Sequence, residues 1–260
     1  GQTLQSRAVF GTSGSLAIMV LLLSAGVRLN KPSAASESGA GSSSSSTNQS
    51  SGTVAVIPSS LQLVVRWIAL VCSMSVTTGI AIYALFGQAF LGYNQRELSI
   101  SQSSAAAAAL TSQIFILPRL MERVGEGLSC ACGLTLLGFL FSAFSILRAQ
   151  PLHFMIFVAA RVGHAIADTS NSALTAAASM PEKRGRNLAL LQSTQAGSRL
   201  FSPLIASYLY TLSSSGKFGL GPPGALPFLF VGALALLTIP APILVGRVVQ
   251  RVQRANCKDE

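Results

Sequence analysis

Charged residues are scarce in this sequence, and fewer of them are acidic than basic. Asp, Glu, Lys and Arg make up 10% of the 260 residues, whereas about 25% is usual for a soluble domain. The chain has 18 basic and 8 acidic residues, and half of all residues are hydrophobic. Such a composition cannot cover the surface of an ordinary soluble domain, and it predicts a protein whose solvent is the lipid bilayer.

Residue types that carry catalysis or bind metals are also few. The four cysteines are Cys72, Cys130, Cys132 and Cys257, and the Cys130-x-Cys132 spacing matches neither a redox motif nor a zinc site. We expect the three in apolar segments to be small buried residues. No His-x-x-x-His, Gly-x-Ser-x-Gly or paired-Asp arrangement is present, so the sequence predicts no enzyme, no metal site and no cofactor.

The few charges lie between long uncharged runs. Such runs separate Arg7 from Arg28, Arg66 from Arg96, Glu97 from Arg119, Glu126 from Arg148, and Lys217 from Arg247. Segments 151–179 and 187–214 are equally apolar but contain internal charges. Since about 20 apolar residues in a helix cross the hydrocarbon core, the sequence predicts an all-α, polytopic transmembrane bundle with seven spans.

The net charge of +10 raises the alternative of a nucleic-acid-binding protein. The basic residues, however, collect in short segments beside the apolar runs, where they orient a membrane protein. No basic face carries interleaved aromatic residues that would stack on bases. We therefore expect the bilayer, and no nucleic acid, to be the partner.

The chain divides into four predicted regions. Residues 1–29 form a transmembrane helix, 30–60 a Ser/Gly-rich flexible linker, 61–248 a bundle of six helices, and 249–260 a basic tail. The first region lacks the basic start and cleavage site of a signal peptide. The six spans are predicted at Leu61–Phe90, Leu98–Leu120, Gly127–Leu147, Pro151–Ser179, Asn187–Ser213 and Ala225–Val245, with kinks at Pro203, Pro240 and Pro242.

Basic residues alternate between rich and poor turns. The rich segments hold Arg28 and Lys31; Arg119 and Arg123; Lys183, Arg184 and Arg186; and Arg247, Arg251, Arg254 and Lys258. The opposite turns hold Arg96, Arg148 and Lys217, one basic residue each. By the positive-inside rule, the linker and the C-terminus are predicted to be cytoplasmic in a multi-pass integral membrane protein.

Several motifs, in order along the chain, resemble the C-terminal half of the major facilitator superfamily. Pro118–Gly125 is similar to that family's Gly-x-x-x-Asp-Arg-x-Gly turn, with Arg123 and Gly125 matching and Glu122 in place of Asp. Met180–Arg186 resembles the turn between its tenth and eleventh helices, and Gln195–Pro203 the eleventh helix. Within the superfamily the nearest resemblance is to the drug:proton antiporters and tetracycline-resistance proteins.

That resemblance implies a fold of two six-helix halves with the substrate bound between them near the midplane. The first predicted span would be the sixth helix of the full transporter. The sequence then contains only one bundle, and we expect the N-terminal half to lie upstream in the same chain or in another chain.

Polar residues interrupt two of the predicted spans at helical spacing. Arg161, His164, Asp168 and Asn171 share one face of the first, and Gln192, Gln195, Arg199 and Ser202 repeat the spacing on the second. Because charge inside a membrane is costly, these residues are candidates for proton coupling or substrate binding. Counted from the predicted helix ends, Asp168 and Arg199 lie at one depth, which favours a structural ion pair between them.

Arg161 has no acidic partner in the sequence. Backbone carbonyls, the absent half or an anionic substrate would satisfy it. Arg161-Val-Gly-His164 resembles the family's Arg-x-x-Gln-Gly motif, which is associated with proton coupling. Two roles stay open for His164: a proton acceptor with Asp168 as relay, or a neutral imidazole bonded between helices. His153, near a helix end, is expected at the membrane interface.

The basic turns contain a second group of candidate residues. Glu122, Arg123, Gly125, Lys183, Arg184 and Arg186 either act as cytoplasmic gating contacts or fix the orientation by their charge. Together these observations predict secondary active transport of a small solute by alternating access, coupled to protons. The alternative is a non-transporting membrane receptor or scaffold with the same fold.

Overall fold

A computed structural model describes residues 59–147, 149–215 and 223–256. The predicted first span, most of the predicted linker, Arg148, Lys217 and Cys257 lie outside these residues. The described part is almost entirely helical and contains no strand, which confirms the all-α prediction. Its helices are α1 (Ser59–Phe90), α2 (Gln95–Thr111), a π-helical segment (Ser112–Ile116), α3 (Leu117–Val124), α4 (Glu126–Ala143), α5 (Gln150–Ala177), a 3₁₀ turn (Pro181–Lys183), α6 (Arg184–Ser214), α7 (Leu226–Thr238) and α8 (Pro240–Asn256).

Four helical stretches are long and apolar enough to cross a membrane. They are Ser60–Phe90, Gln95–Val124, Glu126–Ala143 and Leu226–Val252. The remaining two long helices, α5 and α6, have 28 and 31 residues, or about 42 and 46 Å at a rise of ~1.5 Å per residue. They fall outside the apolar set, and they are the two helices that contain the polar stripes. Because four of its helical stretches are long and apolar enough to cross a membrane, the chain has the composition of an integral membrane protein.

Two of the long stretches change helix type along their length. Residues Ser112–Ile116 form a π-helical segment between α2 and α3, immediately before Pro118. The stretch from Leu226 divides at Ile239, and Pro240 begins α8. Proline cannot continue the hydrogen bonding of the preceding turn, which accounts for the second break. Pro203, in contrast, lies inside an uninterrupted α6.

Helix α4 is packed between α5, α7 and α8 by glycines that allow backbones to touch. The opposed glycines are Gly133 and Gly163 with α5, Gly138 and Gly232 with α7, and Gly127 and Gly246 with α8. A methyl group at position 133 would lie 2.5 Å from the Ala167 nitrogen. Small residues at such crossings replace the hydrophobic effect as the source of helix association in lipid, because they maximise van der Waals contact.

Most of the described basic turns gather at one end of the bundle, here called the basic end. At this end Gly125 approaches the Gln250 side chain, and Arg66 lines a small cavity together with Asn187. Buried Val65, Leu191 and Val249 pack together beneath it. The alternate turns therefore meet at a common surface, as the charge pattern predicts.

The opposite end is held together by aromatic rings. Tyr83 stacks on Phe157 with ring centroids 3.9 Å apart, and Phe144 stacks on Phe228 at 4.9 Å. His153 lies fully buried among these rings and hydrogen-bonds to the Leu147 carbonyl. His153 lies three residues after the start of α5 and is covered there by Phe86 and Phe144, and its place at the membrane interface stays a prediction.

Candidate functional site

The candidate site lies at the middle of α5. This helix is continuous from Gln150 to Ala177, so Arg161, His164 and Asp168 share one of its faces. His164 stands 14 residues after Gln150 and 13 before Ala177, about 20 Å from either end. Arg161, His164 and Asp168 are all partly buried. The apolar bundle thus contains a line of ionisable groups centred on its midplane.

Asp168 is held by α6 through an amide. The Gln195 Nε2 donates a hydrogen bond of 2.6 Å to the Asp168 Oδ1. Gln195 is 2% exposed, so this bond is shielded from solvent. A hydrogen bond to a charged acceptor in a low-dielectric interior is stronger than one between neutral groups.

Arg199, one turn further along α6, bonds to α1 instead. Its Nε donates to the Ser73 Oγ at 3.3 Å, and Ser73 in turn donates to the Gln195 carbonyl at 3.0 Å. Among the described residues, the expected direct pair between Asp168 and Arg199 is replaced by this chain through Gln195 and Ser73. The reason is depth, because α6 begins at Arg184 and places Gln195, not Arg199, level with Asp168.

A further bond extends this arrangement to α2. The Gln113 Nε2, within the π-helical segment, donates to the Thr169 Oγ1 at 2.8 Å. Side chains therefore connect α1, α5, α6 and the π-helical segment near the middle of the bundle, and we call this set the polar belt. Its members are Ser73, Gln113, Asp168, Thr169, Gln195 and Arg199. Segments of π-helix occur often at functional sites, because the extra residue redirects a side chain.

Arg161 and His164 lie on the side of the polar belt away from the basic end, and their side chains make no hydrogen bond with any described residue. The Arg161 NH1 and the His164 Nδ1 are buried and have no partner among the described residues. His164 is within electrostatic range of the guanidinium groups of both Arg161 and Arg199. Buried donors without acceptors are costly, so this arrangement needs a functional or structural reason.

Two predicted site residues lie apart from these contacts. Asn171 is buried and its Nδ2 donates to the Val65 carbonyl of α1 at 3.3 Å, while its Oδ1 has no partner. Gln192 is exposed on α6, one turn from Gln195. Asn171 thus connects α5 to α1 nearer the basic end, and Gln192 makes no hydrogen bond within the described bundle.

The predicted gating residues all lie at the basic end. Glu122 and Arg123 are exposed in the last turn of α3, and Gly125 follows with a φ of 82°, a conformation that favours glycine. Lys183, Arg184 and Arg186 are exposed around the start of α6. Among the described residues, one side-chain bond connects the basic residues of this turn to the bundle: the Arg184 Nε donates to the Ala176 carbonyl at 3.2 Å.

The three cysteines that the structure describes form no site. Cys72 and Cys130 are buried, as predicted, but Cys132 is exposed on α4 because its neighbour Gly133 occupies the packed face. All three are free thiols. Within the described ranges, no group of His, Cys, Asp and Glu side chains is arranged to hold a metal ion.

Sequence reasoning missed Ser73 and Thr169 as members of the polar belt. Ser73 and Thr169 are small hydroxyl residues in apolar helices, and such residues commonly bond to their own backbone. Nothing in the local sequence distinguishes them from Ser75 or Thr77, which do bond within α1. Only their neighbours on other helices reveal their part in the site.

The chain was compared with family models, curated proteins and solved structures. No family model, no curated protein and no solved structure matches the chain.

Proposed function

We propose that this chain is part of a secondary transporter that moves a small solute across a membrane, driven by a proton gradient. The observation that carries the proposal is the line of Arg161, His164 and Asp168 at the centre of an apolar bundle. Each charged side chain at a helix centre costs ~2.5–3.5 kcal/mol on insertion scales. If these charged side chains had no function, replacing them with apolar residues would make the bundle more stable.

Proton coupling is supported by the spacing of His164 and Asp168. The two are four residues apart on one face of α5, so one bridging water would let a proton pass between them. Gln195 fixes the Asp168 carboxylate by donating to Oδ1 and leaves the other oxygen for a proton.

Alternating access requires this bundle to move against a second bundle. We propose the six-helix half of a major facilitator fold, with α5 and α6 crossing the membrane beside the four apolar stretches. The stripe of α5 and the exposed Arg199 would then face the partner bundle, with the solute between them. In the same proposal the basic end is cytoplasmic, and Glu122, Arg123 and Lys183 contact the partner bundle as the cavity closes.

The decisive test is flux through the full chain in proteoliposomes with an imposed pH gradient. Variants Asp168→Asn and His164→Ala are compared with wild type, and Glu182→Gln serves as control because it removes an exposed carboxylate at the basic end. We expect gradient-driven flux to fall about tenfold or more in the two site variants, as for the loss of a proton-transfer group. The control should keep the wild-type rate.

Two results would contradict this proposal in different ways. Undiminished, pH-independent flux in all variants would make the protein a uniporter with a structural stripe. No flux for any solute of a broad panel, from well-folded protein, would favour the receptor or scaffold.

A further inference from the structure

The charges of the candidate site do not balance. The guanidinium groups of Arg161 and Arg199 both lie within electrostatic range of His164, and of the two Arg199 is also within range of the carboxylate of Asp168. The other seven acidic residues of the chain are Glu37, Glu97, Glu122, Glu126, Glu182, Asp259 and Glu260. Of these, Glu97, Glu122, Glu126 and Glu182 lie at helix ends or in turns, and Glu37, Asp259 and Glu260 lie outside the described residues. The bundle therefore supplies one negative charge for two positive charges at its midplane.

The site also has more hydrogen-bond donors than acceptors. Asp168 accepts from Gln195, and Arg199 uses only its Nε, for the bond to Ser73. Among the described residues, Arg161 makes no hydrogen bond, and its NH1 is buried. Terminal N–H groups of both guanidiniums thus remain available, and His164 lies within electrostatic range of both. The site presents more donors than acceptors.

We infer that the transported solute is a small oxyanion, a carboxylate or a phosphate, bound by the guanidinium groups of Arg161 and Arg199. This inference rests on the proposed transport function and specifies its substrate class. Guanidinium is planar and presents paired N–H donors that match the two oxygens of a carboxylate or phosphate. In a water-poor site such an anion supplies both the missing acceptors and the missing negative charge.

The position of Asp168 is consistent with this assignment. Because Gln195 holds its carboxylate, Asp168 does not neutralise Arg199 through a direct pair among the described contacts. A cationic solute, in contrast, would meet two positive charges for every negative one. Like charges placed together in a low-dielectric site cost several kcal/mol.

Binding and flux are measured separately, since they test different statements. The full chain, purified in detergent, is titrated with succinate, inorganic phosphate, tetraethylammonium and glucose, and the shift of its thermal melting temperature is recorded. Variants are Arg161→Gln, Arg161→Lys and Arg199→Gln. Arg247→Gln is the control, because Arg247 is exposed at the basic end. Flux of the same four solutes is then measured in proteoliposomes.

We expect succinate or phosphate to stabilise wild type and the control, and to bind about tenfold or more weakly to Arg161→Gln and Arg199→Gln. Arg161→Lys keeps the charge without the paired donors and should fall between. Their melting temperatures without ligand show whether each variant is folded. Succinate and phosphate as separate arms distinguish carboxylate from phosphate.

Four outcomes decide the matter. Oxyanion binding that depends on both arginines, together with oxyanion flux, supports the inference. The same binding without flux supports the anion site and overturns the transport function. Flux of tetraethylammonium or glucose without oxyanion binding keeps transport and overturns the inference. If wild type binds neither oxyanion, the guanidiniums are satisfied by protein groups and the inference is wrong.

Discussion

Asp168 keeps its position through a side-chain amide of the neighbouring helix. Removing the donor by Gln195→Leu would leave the carboxylate without this hydrogen bond in a buried setting. We expect the free energy of unfolding to fall by about 1–3 kcal/mol, the usual cost of an unsatisfied buried polar group. The measurement is a denaturation curve in detergent.

The same helix offers the matched control. Gln192→Leu changes an exposed residue one turn away and should alter stability by no more than about 0.5 kcal/mol. Adding Asp168→Asn to Gln195→Leu should recover part of the loss, since an unpartnered neutral amide costs less than an unpartnered charge. Equal losses from the two Gln variants would show that the 2.6 Å bond does not stabilise the protein.

At the scale of elements, the bond between α2 and α5 is a second point to test. Gln113 reaches Thr169 from a π-helical segment, and bonds of this kind inside membrane proteins average about 0.6 kcal/mol in double-mutant cycles. A cycle of Gln113→Leu and Thr169→Val should give a coupling near that size. A coupling of zero, with both single variants folded, would mean that the two side chains act independently.

The crossing of α4 and α5 depends on Gly133 and Gly163. The substitution Gly133→Leu would place its Cβ 2.5 Å from the Ala167 nitrogen, against backbone that cannot move aside within one helix. We expect a loss of about 1–3 kcal/mol or more from overpacking, seen as a lower melting temperature. Cys132→Leu, on the exposed side of the same turn, should leave the melting temperature nearly unchanged. Similar losses in both variants would contradict this packing.

At the scale of the whole molecule, the two ends of the bundle are predicted to lie on opposite sides of the membrane. In a cysteine-free background, single cysteines are introduced by Glu182→Cys at the basic end and Ser215→Cys at the other end. A membrane-impermeant maleimide added to intact cells should label the second and spare the first, because basic turns stay cytoplasmic. Labelling of the first after permeabilisation is the control. The reverse pattern would invert the proposed topology.

Much of the architecture follows from composition and spacing alone. Uncharged runs of sufficient length predict helices, and the model places helices over all six predicted spans of the bundle. The shared face of Arg161, His164 and Asp168 follows from the 3.6-residue period of any continuous helix. The predicted helix ends were less accurate, since α6 begins at Arg184 instead of Asn187.

That small difference decides the pairing in the site. Measured from the ends of the helices, Asp168 lies nine residues inside α5, Gln195 lies eleven inside α6, and Arg199 fifteen. At ~1.5 Å per residue these depths are about 14, 16 and 22 Å. Gln195 is therefore the residue level with Asp168. Placing the start of α6 about one helical turn too late led the sequence analysis to expect Arg199 as the partner of Asp168.

Local rules are enough to predict the helices, the bilayer-like composition, the basic end and the polar stripe on α5 from the amino-acid order alone. Only the tertiary structure decided which polar groups meet, because partners such as Ser73, Gln113 and Thr169 are brought together by helix crossings. Those crossings depend on opposed glycines such as Gly133 and Gly163, thirty residues apart along the chain. Such contacts depend on backbone separations of a few ångströms, which no local pattern of residues encodes.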